Sequence, residues 1–189
     1  MNWIEEIKNY TPYNEQEVKD KEVILSCINS FDNLLTRENT VAHITSSGYI
    51  VNKNCDKVLM IYHKLYDSWA WTGGHADGDD DLLYIAVKEA EEETGAKNIK
   101  VISPEIISLD VLHVEGHIKR GQYVATHLHL NVAYLLEVDE NEPLVVNEEE
   151  TNGVKWLPID ELDKYCSEEY IIRTVYNKIN ERAKALLLK

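Results

Sequence analysis

Glu89, Glu92 and Glu93 lie close together in the chain. On a helix of 3.6 residues per turn they fall within an arc of roughly 100°, so they share one face. Leu83, Ala86, Val87, Ala90 and Thr94 occupy the adjoining face, which lets one side of the helix be buried while the carboxylates reach a cleft. Three carboxylates this close repel one another by roughly 1 kcal/mol per pair in water, and by more at lower dielectric. A hard divalent cation compensates such a cluster. Magnesium, which takes a few carboxylates plus substrate phosphate oxygens, is the expected partner, with manganese as its substitute.

Gly73 and Gly74 precede this segment and Gly95 follows it. A glycine pair permits close backbone approach to a ligand, and a glycine after an acidic face is a helix stop. Across Gly74–Ala96 the stretch GHADGDDDLLYIAVKEAEEETGA resembles the Nudix box, G-x5-E-x7-R-E-U-x-E-E-x-G-U, where U is a bulky aliphatic. Gly74, Glu89, Glu92, Glu93 and Gly95 match outright. Asp80 stands where the family has Glu and Lys88 where it has Arg, while Ala90 and Ala96 fill aliphatic positions with a smaller residue. The likeness extends upstream, where Trp69-Ala70-Trp71-Thr72-Gly73-Gly74 parallels W-x-L-P-G-G, and downstream to Trp156-Leu157-Pro158. The first 40 residues lie outside it.

The resemblance implies an α/β fold, a Nudix-type α/β/α sandwich around a mixed β-sheet. It implies hydrolysis of a diphosphate linkage in a nucleoside diphosphate joined to another moiety, or in a similar small molecule. The residues matching the family's metal ligands are Glu89, Glu92 and Glu93, with the carbonyl of Gly73 often joining them. The glutamate matching Glu89 often also serves as the base or orients the attacking water. Lys88 keeps the positive charge beside Glu89 but lacks the planar fork of arginine, which leaves the orientation of Glu89 open. A Nudix-fold sensor that binds a nucleotide without turnover is the alternative. A prenyl diphosphate isomerase is a third reading, and it needs a catalytic cysteine in its pocket.

Other candidates are weaker. Asp77 to Asp81 is no EF-hand, since the sixth and twelfth positions counted from Asp77 are Leu82 and Lys88 in place of glycine and glutamate. His127 and His129, two apart on an expected strand, point to one face. No third ligand stands at diagnostic spacing, so substrate contact is expected in preference to metal. Lys119 and Arg120, beside His117, form a compact basic patch that could meet phosphates. Trp69 and Trp71 flank the glycine pair, where an aromatic can stack on a base or pack in the core, and Trp69 is the expected substrate contact. Glu149, in the run Glu148–Glu150, lies where the family often takes a further carboxylate.

The elements that must position these groups are legible in outline. Residues 1–40 read as an N-terminal helical extension starting at Asn14, with Val18, Val23, Ile24, Ile28, Phe31, Leu34 and Leu35 as its apolar positions. Residues 41–189 read as the catalytic domain. Ile44 to Val51 and Val58 to Tyr62 form an expected hairpin. A helix is expected from Asp81 to Thr94, strands at Val101–Ile102, Ile106–Val114 and Val124–Val138, and a helical tail from Glu161. Strands interleaved with long helices indicate a mixed sheet with helices on both faces.

The chain of 189 residues is long enough for one buried core. Acidic residues outnumber basic ones 34 to 19, giving a net charge of −15, which argues against a grip on DNA or RNA backbone. An anionic substrate then needs a local device, a metal or a basic cluster. Cys27, Cys55 and Cys166 are widely separated and odd in number, as expected of reduced structural cysteines. No apolar run is long enough to span a bilayer. Glu5 and Glu6 stand where a secretory signal would be basic, so the expected location is the cytoplasm.

Overall fold

The computed structural model describes residues 2–64, 67–119, 121–147 and 151–187. Two helices, α1 (Trp3–Asn9) and α2 (Glu15–Ser30), precede the sheet. Strands β1 (Ala42–Val51), β2 (Lys57–His63), β3 (Ser68–Ala70) and β4 (Thr72–His75) lead into α3 (Leu82–Thr94). Then come β5 (Lys100–Val101), β6 (Ser108–Val114), β7 (His117–Lys119), β8 (Gln122–Val124), β9 (His127–Glu137) and β10 (Thr151–Pro158).

The mixed sheet runs β10-β2-β1-β9-β5, with β3 on β2, β4 on β1 and β6 on β9. Its axis is the parallel pair β1–β9, matched from Ala42↔Leu128 to Val51↔Glu137. All of β1 is buried, which a strand tolerates only when both faces are covered. Its C-terminal end pairs with β2 and its earlier half with β4, so β4 takes over that edge of β1.

Alternation along β1 divides the two layers. Ser46, Gly48 and Ile50 face α3: Ser46 Oγ donates to the Leu82 carbonyl at 2.6 Å, and Ile50 shares a core cluster with Ala90. Tyr49 and Val51 face the other way, into a cluster with Val175, Tyr176 and Ile179 of the C-terminal helical segment. Helix α3 is held by the Asp81 cap, whose carboxylate accepts the Tyr84 N–H at 2.9 Å, and it stops at Gly95, which sits at φ 73°. A side chain is strained at that φ, so the glycine is a conformational requirement.

The N-terminal segment holds two helices where a single start at Asn14 was expected. Asn14 does cap α2, accepting the Glu17 N–H at 2.9 Å. Val18 and Val23, expected to pack, are exposed, because the buried stripe runs through Glu17 and Ile24. Trp3, Ile7, Tyr10 and Ile24 join Ile44, Leu109 and Tyr134 in one cluster. A buried ion network ties the two ends of the chain together. Lys178 Nζ lies 2.9 Å from Glu17 and 2.7 Å from Asp110, and the Tyr10 hydroxyl donates to Glu17 at 2.6 Å.

The segment expected as one strand over Val124–Val138 is broken. β8 pairs with β7 in a separate hairpin, and β9 begins only at His127. The tail begins as a 3-10 turn, Ile159–Lys164, in place of a helix at Glu161. The segment α4 (Glu169–Ile171) then passes through a π-helical turn, Ile172–Tyr176, into α5 (Asn177–Leu187). Among the described residues no helix is long and apolar enough to cross a membrane.

Candidate functional site

Strand β4 carries the glycine pair along the edge between the two faces of the sheet. Gly73 pairs with Ser47 and Gly74 with Ser46, so they inherit opposite faces. On the α3 side a Cβ at Gly74 would stand 2.6 Å from Glu89 Oε1 and 2.7 Å from its Oε2. Only a residue without a side chain admits the Glu89 carboxylate there. Glu93, one turn on, is 5% exposed, and its Oε2 accepts the Gly73 N–H at 3.0 Å. Glu89 and Glu93 thus converge on one short piece of backbone.

Glu92 is placed differently. Its side chain is half exposed, and Lys88 Nζ lies 3.7 Å from its Oε1 and 4.0 Å from Glu89 Oε1. Lys88 therefore lies between two of the three glutamates. The three carboxylates are not gathered around one point: among the described residues, only His43, His75 and His129 bring three such ligand atoms together. The donor set on α3 still suits a hard cation, being all oxygen, partly exposed and beside a glycine backbone whose carbonyls can be approached. Asp80 is exposed.

Glu93, Gly73 and Gly74 also line a cleft of about 630 Å³ that opens on the face opposite α3. Trp71 lines it, whereas Trp69 packs edge-on to Tyr62 at 5.4 Å between ring centroids and is not part of the lining. Lys119 and His127 both line it. Arg120 and Glu149 lie outside the described residues.

The floor of the cleft holds groups that the sequence did not single out. Arg37 is at its mouth, its Nε donating to Asp77 at 2.7 Å. Asn131, 1% exposed, accepts from the hydroxyls of Thr45 and Ser47 at 2.9 Å each, and its amide nitrogen has no partner. Opposite lies Glu168, whose carboxyl is raised by burial.

Four imidazoles crowd the same wall. The rings of His43, His75, His127 and His129 lie at centroid separations between 4.9 and 5.2 Å wherever they meet. The register of the central pair explains it, since His43 stands directly beside His129 and His75 beside Thr45. Burial first, then Arg37, His43 and Lys119, push His75 down to about 3. Burial and the neighbouring imidazoles push His129 down to about 2, and burial lowers His43. His43, His75 and His129 are therefore neutral at ordinary pH.

A family model, the NUDIX domain, matches residues 42–175. A search of curated proteins gave no match. Among solved structures, a NUDIX-family hydrolase from Clostridium perfringens is 21% identical and aligns over 74% of this chain and 97% of its own, with a TM-score of 0.54. An Ap4A hydrolase from C. elegans, solved as a binary complex, is 14% identical over 76% of this chain and 98% of its own, at 0.54. The NUDIX domain of Shewanella oneidensis NrtR, bound to ADP ribose, is 15% identical over 97% and 99%, at 0.52. At these identities the likeness is one of fold.

Proposed function

Since the chain belongs to the NUDIX domain family, we propose that it is a metal-dependent pyrophosphohydrolase that cleaves a diphosphate linkage in a nucleotide-like small molecule. The observation that carries this reading is the convergence of Glu89 and Glu93 on Gly73–Gly74, where the acidic helix meets the cleft.

Glu89, Glu92 and Glu93 would hold magnesium or manganese, with the Gly73 carbonyl as a further donor. When bound, the metal neutralises phosphate charge and lowers the pKa of water, supplying a nucleophile. Glu93, through the Gly73 N–H, locks α3 to β4 and so fixes the distance between helix and cleft. Glu89 faces the backbone at Gly74, and its carboxylate oxygens are the groups that accept the proton of the attacking water. Lys88 lies between Glu89 and Glu92 and offsets part of their mutual repulsion. In the cleft, Lys119 and the unpartnered Asn131 amide donate to phosphate oxygens, and Trp71 offers a ring face to a base. Two structural neighbours are tied by their names to adenine nucleotides with phosphoanhydride links, Ap4A and ADP ribose; a cleft of this volume and lining accommodates that class.

One observation favours binding without turnover: the Glu92 side chain is half exposed beside Lys88, and among the described residues the three carboxylates do not close on one point. The isomerase reading loses support, because no cysteine is among the described residues lining the cleft, and Cys55 and Cys166 are buried elsewhere.

The test is turnover on a panel of dinucleoside polyphosphates, nucleotide sugars, ADP ribose and nucleoside triphosphates, with magnesium, with manganese and with excess chelator. Hydrolysis that needs the added metal is expected. Tight nucleotide binding with no turnover on any substrate would establish the sensor in its place, and full activity in excess chelator would remove the metal from the reaction.

A further inference from the structure

We propose that His43, His75 and His129 form a second metal site, chemically unlike the glutamate site, that takes a borderline-soft divalent ion of the zinc class. It is independent of the hydrolase reading.

The three ligand nitrogens all lie within 4.8 Å of one another, on three different strands of one rigid sheet. A tetrahedral zinc site with Zn–N bonds near 2.0–2.1 Å needs nitrogens about 3.3 Å apart. Rotation of the rings about their χ angles would have to supply that closure. His43 is 4% exposed, and both His43 Nε2 and His129 Nε2 are buried without a hydrogen-bond partner. Buried polar atoms left unsatisfied are uncommon and costly, and a shared cation would satisfy both.

The tautomer at His43 is already set for ligation. Its Nδ1 lies 3.1 Å from the Asn39 carbonyl oxygen, which can only accept, so Nδ1 carries the proton and Nε2 presents its lone pair. A second hydrogen bond of this kind orients most metal-bound imidazoles. All-nitrogen donors suit zinc, cobalt or nickel and not magnesium, whose preference is for oxygen. Three protein ligands beside an open cleft leave a fourth position for a substrate oxygen. Packing alone does not account for the arrangement, because four imidazoles in mutual contact bury their nitrogens with little apolar gain.

Cobalt tests the site, because a low-coordinate nitrogen environment gives it an intense visible absorption that octahedral aqueous cobalt lacks. Titrating the full chain with Co2+ should give a saturable band at one equivalent, displaced by Zn2+ and not by Mg2+. His75→Asn and His129→Asn should weaken uptake by about a hundredfold or more, whereas Glu92→Gln and Glu93→Gln should leave the band in place. The glutamate variants bear on magnesium-dependent turnover, so the two readings fail separately. No saturable band, or a band lost only in the glutamate variants, overturns the proposal. Should a histidine variant not fold, the wild-type protein decides alone: zinc must shift the imidazole nitrogen resonances of His43, His75 and His129, and unchanged resonances under saturating zinc overturn it.

Discussion

Glu93 Oε2 accepts the backbone N–H of Gly73 at 3.0 Å, so a residue read from the sequence as a metal ligand is also a clamp between helix α3 and strand β4. The two roles give different consequences for two substitutions. Glu93→Gln keeps an acceptor for Gly73 and relieves charge repulsion along α3, so its metal-free stability should stay within about 1 kcal/mol of wild type. Glu93→Ala orphans a part-buried N–H and should cost about 1–3 kcal/mol. Both should lose the stabilisation that magnesium gives wild type, about 2.7 kcal/mol at a hundredfold excess over Kd. Thermal melts of the three proteins with and without magnesium check this; a wild-type magnesium shift in Glu93→Gln would make Glu93 a clamp alone.

Gly74→Ala should separate activity from stability. The new methyl would stand within 2.7 Å of both Glu89 oxygens, and the carboxylate, at the end of a flexible side chain, can swing away. The fold should survive with a loss below about 1 kcal/mol. Turnover should fall by about a hundredfold, because displacing a catalytic group by an ångström costs on that order. Near-wild-type kcat with intact folding would mean that Glu89 does not act from this position.

Lys88→Arg should leave activity unchanged or raise it, since a guanidinium fork can hold Glu89 and Glu92 at least as well as the ammonium 3.7–4.0 Å away. A loss beyond about tenfold in kcat/KM, with folding intact, would give Lys88 a role of its own.

Lys178→Met should destabilise by about 3–5 kcal/mol, because it leaves Glu17 and Asp110 buried without their shared cation. The pH dependence should change as well. For Glu17 burial works to raise the pKa, but the Tyr10 hydroxyl and Lys178 prevail and lower it. Its contribution is therefore present above the ordinary carboxylate range and lost as pH falls through the lowered value. Asp110 is raised by burial despite Lys178, a penalty relieved as pH falls. Without the ammonium both carboxyls move up, so as pH falls through the carboxylate range the variant should lose less stability than wild type, or gain more. Urea midpoints across that range, compared with wild type, give the answer.

How far the sequence reached follows the distance between partners. Helix α3 was legible to its caps, because Asp81, the apolar spacing and Gly95 are local signals. Glu89 and Glu93 came with it, and so did the β1–β2 hairpin. The histidine wall was only half visible. His127 and His129 gave one face of one strand, and their missing companions, His43 and His75, come from strands that the register alone brings alongside. The choice of Trp71 over Trp69 for the cleft depended on the order in which β3 and β4 leave the sheet, which alternation cannot fix. Glu17 reads as a solvated helix residue until Lys178, at the far end of the chain, is placed against it.

The parallel pair β1–β9 joins residues 86 apart. Contacts this distant make for slow folding, since the loop entropy must be spent before the pairing rewards it. During synthesis the earlier strands emerge long before their central neighbour exists, and the backbone N–H and C=O groups along that edge of β1 wait unpaired. The histidine wall and the floor of the cleft do not exist until that late pairing closes. A nascent chain stalled before β9 has the acidic helix, but no cleft for it to serve.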